Sequence, residues 1–393
     1  MLIPSLPLLP TDIQKSSPSP IAGRQGGHGP AHVERLQRSF PFLRFLFQRL
    51  LTALATFLII TAVIYAISLV VPADDRARWY VPLKHRYEDA AAIRIYLDNA
   101  IELYGLDDPF LVQYGRWLGQ LAHGDWGSSS IMRTDVFAAL TARSSATLEL
   151  TLYSIMVYIP LGLIVGALTA WKQGRTIDKV VEFGAFIITA IPPFVLGFVL
   201  IALIYVQLGL LDLSRIGYAE RAIIQGDGFR SLTGLITIDG LLNFRPDISW
   251  QAIRHLVLPV TTLAAFYLGS LVLVTRTSVI EELQKEYVLQ AKGIGVKDRR
   301  ILFNYALRNA LLPALTHSAL TAAQLVTGVY VVEAIFNWHG VSELITDSMG
   351  SGIPDVSLAL GFSVYSVIVV LGIAFVLDLL QALVDPRIRL GEG

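Results

Sequence analysis

The chain has 393 residues, of which 54% are hydrophobic and only 16% charged, with 31 Lys and Arg balancing 31 Asp and Glu. Soluble domains carry about a quarter charged residues, so this composition points to a membrane protein, and the balanced charge supplies no basic excess for holding nucleic acid. There is no cysteine, which excludes disulfides, thiolate nucleophiles and thiolate metal sites.

Residues 1–40 are rich in Pro, Ser and Gly and contain no apolar core. They read as a disordered tail rather than a cleavable signal peptide. Six runs free of Asp, Glu, Lys and Arg follow: Leu50–Val71, Leu150–Trp171, Phe183–Leu211, Leu256–Thr275, Asn309–Val332 and Val356–Leu377. A helix of about twenty residues crosses a hydrocarbon core of about 30 Å, so each run predicts a transmembrane helix. Barrel strands are excluded by length and by the lack of alternation. The expected fold class is therefore an all-α integral membrane protein with six transmembrane helices. Its parts are a tail over 1–40, a first helix over 41–71, an external loop over 72–149, a core over 150–385 and a C-terminal tail over 386–393.

Local signals refine this frame. In the first loop, Ala92, Tyr96 and Ala100, with Ile93, Leu97 and Ile101 beside them, predict an amphipathic helix over Asp89–Leu103. Tyr114, Trp117, Leu118 and Leu121 predict a second over Phe110–Leu121, with Gly105 to Pro109 between the two. Gly162 and Gly166 stand at the spacing that lets helices approach closely. Pro192-Pro193 predicts a kink in the third run. The second external loop, 212–255, shows little periodicity.

Basic residues set the orientation, because Lys and Arg near helix ends stay in the cytoplasm. The connection 172–182 holds Lys172, Arg175 and Lys179; the connection 276–308 holds Arg276, Lys285, Lys292, Lys297, Arg299, Arg300 and Arg308; 333–355 holds none. Both basic connections are then cytoplasmic, as are both termini, with Arg44 and Arg49 before the first helix in agreement.

The connection 276–308 is the most informative stretch. Val279, Leu283, Tyr287 and Ala291 recur every four residues on one helical face. Gly293 and Gly295 end that helix, glycine being a poor interior residue and a good terminator. A second helical pattern begins near Arg299 and runs into the fifth apolar run, which contains Pro313. Such a knob transmits a push to the membrane helices if a partner docks on it; otherwise it is an ordinary solvated connection.

Glu286-Tyr287-Val288, Ala291 and Gly295, followed by Ala306-Leu307-Arg308-Asn309-Ala310-Leu311-Leu312-Pro313, resemble the cytoplasmic EAA loop of ABC importer permeases, in the version of the dipeptide/oligopeptide/nickel family's first permease type. Other stretches agree in order: Gly105-Leu106-Asp107 with Pro109 and Gln113-Tyr114, Gly124-Asp125-Trp126-Gly127, Ala146-Thr147-Leu148-Glu149-Leu150, Ile191-Pro192-Pro193-Phe194 with Gly197, Glu333-Ala334-Ile335-Phe336-Asn337-Trp338-His339-Gly340, and Val384-Asp385-Pro386-Arg387-Ile388-Arg389. His339 stands where that family usually has proline.

The resemblance covers roughly residues 42–390. It implies the type I ABC importer permease fold, in the inner or plasma membrane of a prokaryote. It implies as partners a second homologous permease, two cytoplasmic ATPase subunits and an external substrate-binding protein. On this resemblance the ATPase-coupling surface comprises Glu286, Tyr287, Ala291 and Gly295, with Tyr287 filling a partner's pocket and Glu286 pairing with a basic residue. The cargo would be di- or oligopeptides, or in some relatives nickel or another small solute.

The chain itself is expected to be no enzyme and to hold no cofactor, ATP and Mg being bound by partner subunits. It lacks G-x-x-x-x-G-K-[ST], H-E-x-x-H and G-x-S-x-G. An ion-gradient-driven transporter is the alternative from another class, and it would show ionisable groups at mid-membrane. Only His317 lies deep in an apolar run, where it faces a path or bonds a neighbouring helix. Glu149, Glu182, Glu333 and Asp378 all sit near run ends, which suits bundle salt bridges or snorkelling more than a proton relay.

Overall fold

The computed structural model describes residues 41–78, 90–129, 131–350 and 355–384. The expected tails over 1–40 and 386–393, and the C-terminal motif beyond Val384, lie outside the described residues.

The architecture is helical. In chain order the elements are α1 (Pro41–Ser68), α2 (Ala73–Ala77), α3 (Ala90–Tyr104), α4 (Phe110–Ala122), a two-residue hairpin pairing β1 (Ser128–Ser129) with β2 (Thr134–Asp135), and α5 (Val136–Trp171). Next come α6 (Thr176–Ala190), α7 (Pro193–Leu200) with a π-helical turn over Ile201–Gln207, α8 (Tyr218–Ile224), α9 (Ile236–Leu242) and α10 (Pro246–Leu283). The rest are α11 (Glu286–Gly293), α12 (Asp298–Arg300) with a π-helical turn over Ile301–Ala306, α13 (Leu307–Ile335), α14 (Val341–Gly350) and α15 (Val356–Val384).

Among the described residues, α1, α5, α10 and α15 are long and apolar enough to cross a membrane, and α6 with α7 make a fifth span if taken as one. These last two meet at an angle of 102° across Ile191 and Pro192, where the sequence predicted a kink. The double proline explains the break: Pro193 can open a helix but neither ring can continue one. The remaining run, expected at 309–332, is the 29-residue helix α13, which carries Asn309, His317 and Gln324 and is not among the helices that reach that apolarity. The two amphipathic helices of the first loop form as α3 and α4.

The mast of the bundle is α10. Of its most apolar stretch 56% is buried inside the chain, against 6% for α1. It lies along α5 with almost no space between them. A Cβ placed on Gly162 would come within 2.7 Å of the Leu271 side chain, and one on Gly166 within 2.9 Å of the Val272 carbonyl oxygen. The small-residue spacing is therefore a helix contact. Three buried clusters stack along the seam with α13: Tyr158, Tyr267, Leu271 and Leu325 in the middle, Ala167, Val279, Leu302 and Ala306 toward one end, and Leu150, Leu263, Val332 and Trp338 toward the other. By contrast α1 lies at the edge, tied to α15 by Arg49–Asp378 at 3.4 Å and to α4 by Tyr114, whose hydroxyl donates to the Leu58 carbonyl at 2.9 Å.

One end of the mast is closed by a polar clasp. Glu149, fully buried on α5, accepts from Arg215 at 2.8 and 3.0 Å and from the Thr237 N–H and hydroxyl at 2.9 and 2.8 Å. The aperiodic stretch 212–245 is held down by that carboxylate and by a second one. Buried Asp239 accepts from the Thr233 N–H and hydroxyl, the Gly234 N–H and the Ser231 hydroxyl. Burial pushes its carboxyl up, but the donors from Thr233, Ser231 and Gly234 outweigh this and hold it below the usual range. On the same side of the molecule as Arg215, Glu333 accepts from the Ser342 N–H at 3.1 Å and hydroxyl at 2.6 Å. Trp338 donates from its indole to the Ala146 carbonyl at 2.9 Å, and the Phe336 carbonyl accepts from the Ser214 N–H at 2.9 Å. Gly340 passes so close that a Cβ there would sit 2.1 Å from the Glu333 carboxylate.

Two outcomes test this packing. Gly166→Leu is expected to cost about 1–3 kcal/mol by overpacking and so to lower the thermal midpoint in detergent, while Gly372→Leu, at a position with open space around it, leaves the midpoint unchanged. Glu149→Ala strands the Arg215 guanidinium, a change of about 3–5 kcal/mol for a buried pair. Protease cleavage within 212–245 is expected to accelerate in that variant and not in Asp247→Asn, whose pair with Arg245 is exposed and screened by solvent.

Candidate functional site

At the other end of the mast the chain builds the knob singled out by the sequence. The base is fixed first: Arg276 on α10 donates to both carboxylate oxygens of buried Asp178 at 2.6 and 2.9 Å and lies 3.3 Å from Glu182. This ties the 172–182 turn to α10. After Leu283 the chain turns at Gln284 and Lys285 and re-enters a helix as α11. Glu286 sits in its first turn, where a carboxylate complements the helix dipole.

The end of α11 is a glycine cap. Gly295 adopts φ +79°, its N–H bonds the Lys292 carbonyl at 3.0 Å, and the Val296 N–H bonds the Ala291 carbonyl at 3.0 Å. This is the paired cap in which a left-handed residue satisfies the last free carbonyls, a position that favours glycine. Val296 folds back beside Val288, Ala291 and Ile301, and Trp171, Leu283, Tyr287 and Tyr305 close round them. Lys292 lies 5.6 Å over the Trp171 ring, a cation–π contact that adds to the packing. The knob thus has its own small core, continuous with the end of α5.

The four residues marked by the sequence fall in different places. Glu286 and Gly295 are exposed. Gly295 has nothing within 4 Å of where a Cβ would lie, so backbone conformation rather than space restricts it. Ala291 is 4% exposed and faces the knob's own core. Tyr287 is half-buried: its hydroxyl donates to Glu282 at 2.5 Å and accepts from the Asn309 amide at 2.9 Å. The side chain therefore links α10, α11 and α13. Burial first, and the Glu282 carboxylate second, push its phenol above the ordinary range.

Two residues the sequence reading passed over are the most exposed apolar groups of the knob, Leu289 at 57% and Ile294 at 83%. The available signal for Leu289 was its position: between Val288 and Ala291, both turned inward, an apolar residue must point outward; Ile294 follows the end of the helix. Below them Arg300, Asn304, Arg308 and Asn309 line a basic cleft that Tyr287 also borders. A stiff stub carrying exposed apolar side chains suits docking rather than catalysis. Among the described residues, no three of His, Asp and Glu come together so as to hold a metal ion.

The link through Tyr287 is testable. Tyr287→Phe removes two hydrogen bonds of about 1 kcal/mol each, and amide exchange over 286–296 is expected to quicken while exchange in α5 does not. Because the folded-state pKa is raised, the stabilisation is complete at neutral pH and is lost only as pH rises through the folded value; a fall in the protection of the same amides between pH 6 and pH 8 in the unsubstituted chain, after division by the base-catalysed intrinsic exchange rate, would contradict it.

Comparison with known proteins matches both halves of the chain. The family described as binding-protein-dependent transport system inner membrane component matches residues 159–390, and its membrane-component N-terminal family matches residues 42–151. The chain is 33% identical over 293 residues to the oligopeptide transport system permease protein of Bacillus subtilis, covering 74% of this chain and 84% of that protein. It is 31% identical over 347 residues to the di/tripeptide transport system permease protein of Pseudomonas aeruginosa, and 29% identical over 352 residues to the dipeptide transport system permease protein of Escherichia coli; both alignments cover 88% of this chain and 99% of the relative.

Proposed function

Since the chain belongs to the family of binding-protein-dependent transport-system inner-membrane components, we propose that it is a permease subunit of a peptide importer, driven through the knob at residues 276–308. The relatives named above are permeases of oligopeptide, di/tripeptide and dipeptide transport systems, and peptides are accordingly the cargo of this reading.

The finer assembly is part of the same proposal. The six predicted spans all cross the membrane, with both termini and the knob in the cytoplasm of a prokaryotic cell and the Glu149 clasp outside. The chain pairs with a second, homologous permease. Two cytoplasmic ATPase subunits hold ATP and Mg, and an external binding protein delivers the cargo. Hydrolysis belongs to those partners and not to this chain.

The observation that carries the reading is the knob: a small independent core that fixes α11 rigidly to α10 and α13 while presenting Leu289 and Ile294 to solvent. Ala291 and Tyr287 then act from within, setting the angle of the stub, and Glu286, Leu289, Ile294 and Gly295 form the face a partner meets. His317 bonds Ser270 on the neighbouring helix at 3.1 Å. That supports a structural role for it, as expected of an ATP-driven rather than a proton-driven transporter.

The test is copurification. Replacing Leu289 and Ile294 together by Asp is expected to leave membrane level and detergent stability unchanged, to abolish copurification of the ATPase, and to reduce ATP-driven peptide uptake at least about tenfold, the scale of one lost apolar anchor. Gly295→Val imposes a left-handed conformation on a β-branched residue; it is expected to insert normally and to uncouple hydrolysis from uptake. Normal uptake in both variants would remove the knob from the mechanism.

A further inference from the structure

The basic residues of 276–308 fall into two groups. Three are engaged within the chain: Arg276 with Asp178 and Glu182, Lys285 with Glu282, and Lys292 over the Trp171 ring. The others, Lys297, Arg299, Arg300 and Arg308, are exposed and have no acidic partner among the described residues. Arg300 and Arg308 border one cleft of about 580 Å³ with Tyr287, Asn304, Tyr305 and Asn309. Lys297 and Arg299 line an adjoining cavity that shares Arg300 and Asn304 with it. The Glu282 carboxylate beside Tyr287 is already taken up by Lys285 and the Tyr287 hydroxyl. The π-helical turn over Ile301–Ala306 makes this convergence possible. In an unbroken α-helix residues 300 and 308 would stand about 80° apart around the axis. A π turn takes more residues per turn and reduces that offset. Both guanidiniums therefore reach one cleft, while Ile301, Leu302, Ala306 and Ala310 stay buried.

We infer that this cleft holds the phosphate of an anionic phospholipid from the inner leaflet, between Arg300 and Arg308. This rests on the cytoplasmic placement of the knob in the reading above. Arg308 directly precedes the apolar run that begins at Asn309, which puts its guanidinium at headgroup level. Arg300 lies no more than about 12 Å farther along the helix. Guanidiniums present forked donors that match phosphate oxygens, and the Asn304 amide adds an uncharged donor. Beyond Arg308 the helix exposes Pro313 and Leu320 and half-exposes Leu312, an apolar track for an acyl chain. Thr316 on that track turns its hydroxyl back to the Leu312 carbonyl at 3.0 Å. An acidic segment of a partner protein would match the charges but not the track. The cleft is also separate from the face assigned to the ATPase, since neither Leu289 nor Ile294 lines it.

Native mass spectrometry of the complete transporter, with phosphatidylglycerol or phosphatidylcholine added, tests this. The unsubstituted transporter is expected to retain one phosphatidylglycerol more than a transporter carrying Arg300→Gln and Arg308→Gln together. That variant should need about tenfold more lipid, or more, to fill the place, the scale of two cations facing an anionic surface, with ATPase copurification intact. Lys172→Gln with Arg175→Gln removes the same charge from the other cytoplasmic connection and is expected to change nothing. Excess inorganic phosphate is expected not to displace the lipid; displacement would make this a site for free phosphate and overturn the inference. Equal retention by the Arg300→Gln, Arg308→Gln variant, or equal retention of phosphatidylcholine by the unsubstituted transporter, also overturns it. So does loss of the ATPase from that variant with its lipid still bound, because the cleft is then a protein-docking site. The placement of the knob is read separately. The chain has no cysteine, so Ile294→Cys is a unique label, expected to react with a membrane-impermeant maleimide in inverted vesicles and not in right-side-out ones. The reverse result would put the knob outside and overturn the reading above, and the inner leaflet as the lipid's source with it.

Discussion

The seam between α5 and α10 is the constraint from which the rest of the architecture follows. Without side chains at Gly162 and Gly166, α5 reaches the Val272 backbone of α10, and two of the chain's longest helices, of 36 and 38 residues, behave as a single rod. In a bilayer there is little hydrophobic gain from joining two apolar helices, so close van der Waals contact has to supply the cohesion. Everything with a defined geometry hangs from that rod. The clasp closes one end through Glu149, Trp338 and Glu333, and the knob closes the other through Asp178, Trp171 and Tyr287.

The two ends use the same local grammar. The knob ends α11 with Gly295 in the left-handed region. The clasp ends α13 with Asn337 at φ +51° and the Trp338 N–H returning to the Glu333 carbonyl at 2.9 Å. Asparagine tolerates that conformation better than other residues with a side chain. Two residues later His339 has φ +57°, a value closed to proline, the residue expected there from the sequence resemblance. In both places a helix is stopped sharply and the chain redirected within three residues, so each helix end keeps a fixed direction.

Much of this was legible from composition and spacing, and what escaped did so for definite reasons. Each apolar run proved to be helical because twenty uncharged residues have few alternatives in a membrane. The true lengths were hidden: α5 begins at Val136 and not near Leu150, and α10 extends from Pro246 to Leu283, beyond both ends of its apolar run. A search for uncharged stretches stops at Glu149 or Arg276, although each is neutralised by a partner far away in sequence, Arg215 and Asp178. The stretch 212–245 lacked periodicity because polar capping by Asp239, rather than an amphipathic face, organises it. In the knob, spacing placed Tyr287 and Ala291 on one face correctly, but whether that face turned toward the chain or toward a partner depended on Trp171 and Ile301, which no local pattern relates to them.

The right-hand side of this balance is mechanical. At 1.5 Å per residue, α10 is a spar roughly 57 Å long, stiffened by α5 along its inner half and gripped at one end by a stub barely two turns in length. A tilt of about 5° imposed at the stub sweeps the far tip through about 5 Å, comparable with the width of an extended peptide chain. In the coupling proposed for the knob, the gearing would come from the difference in length between the two arms, and a shorter α10 with the same knob would convert an identical push into a smaller opening.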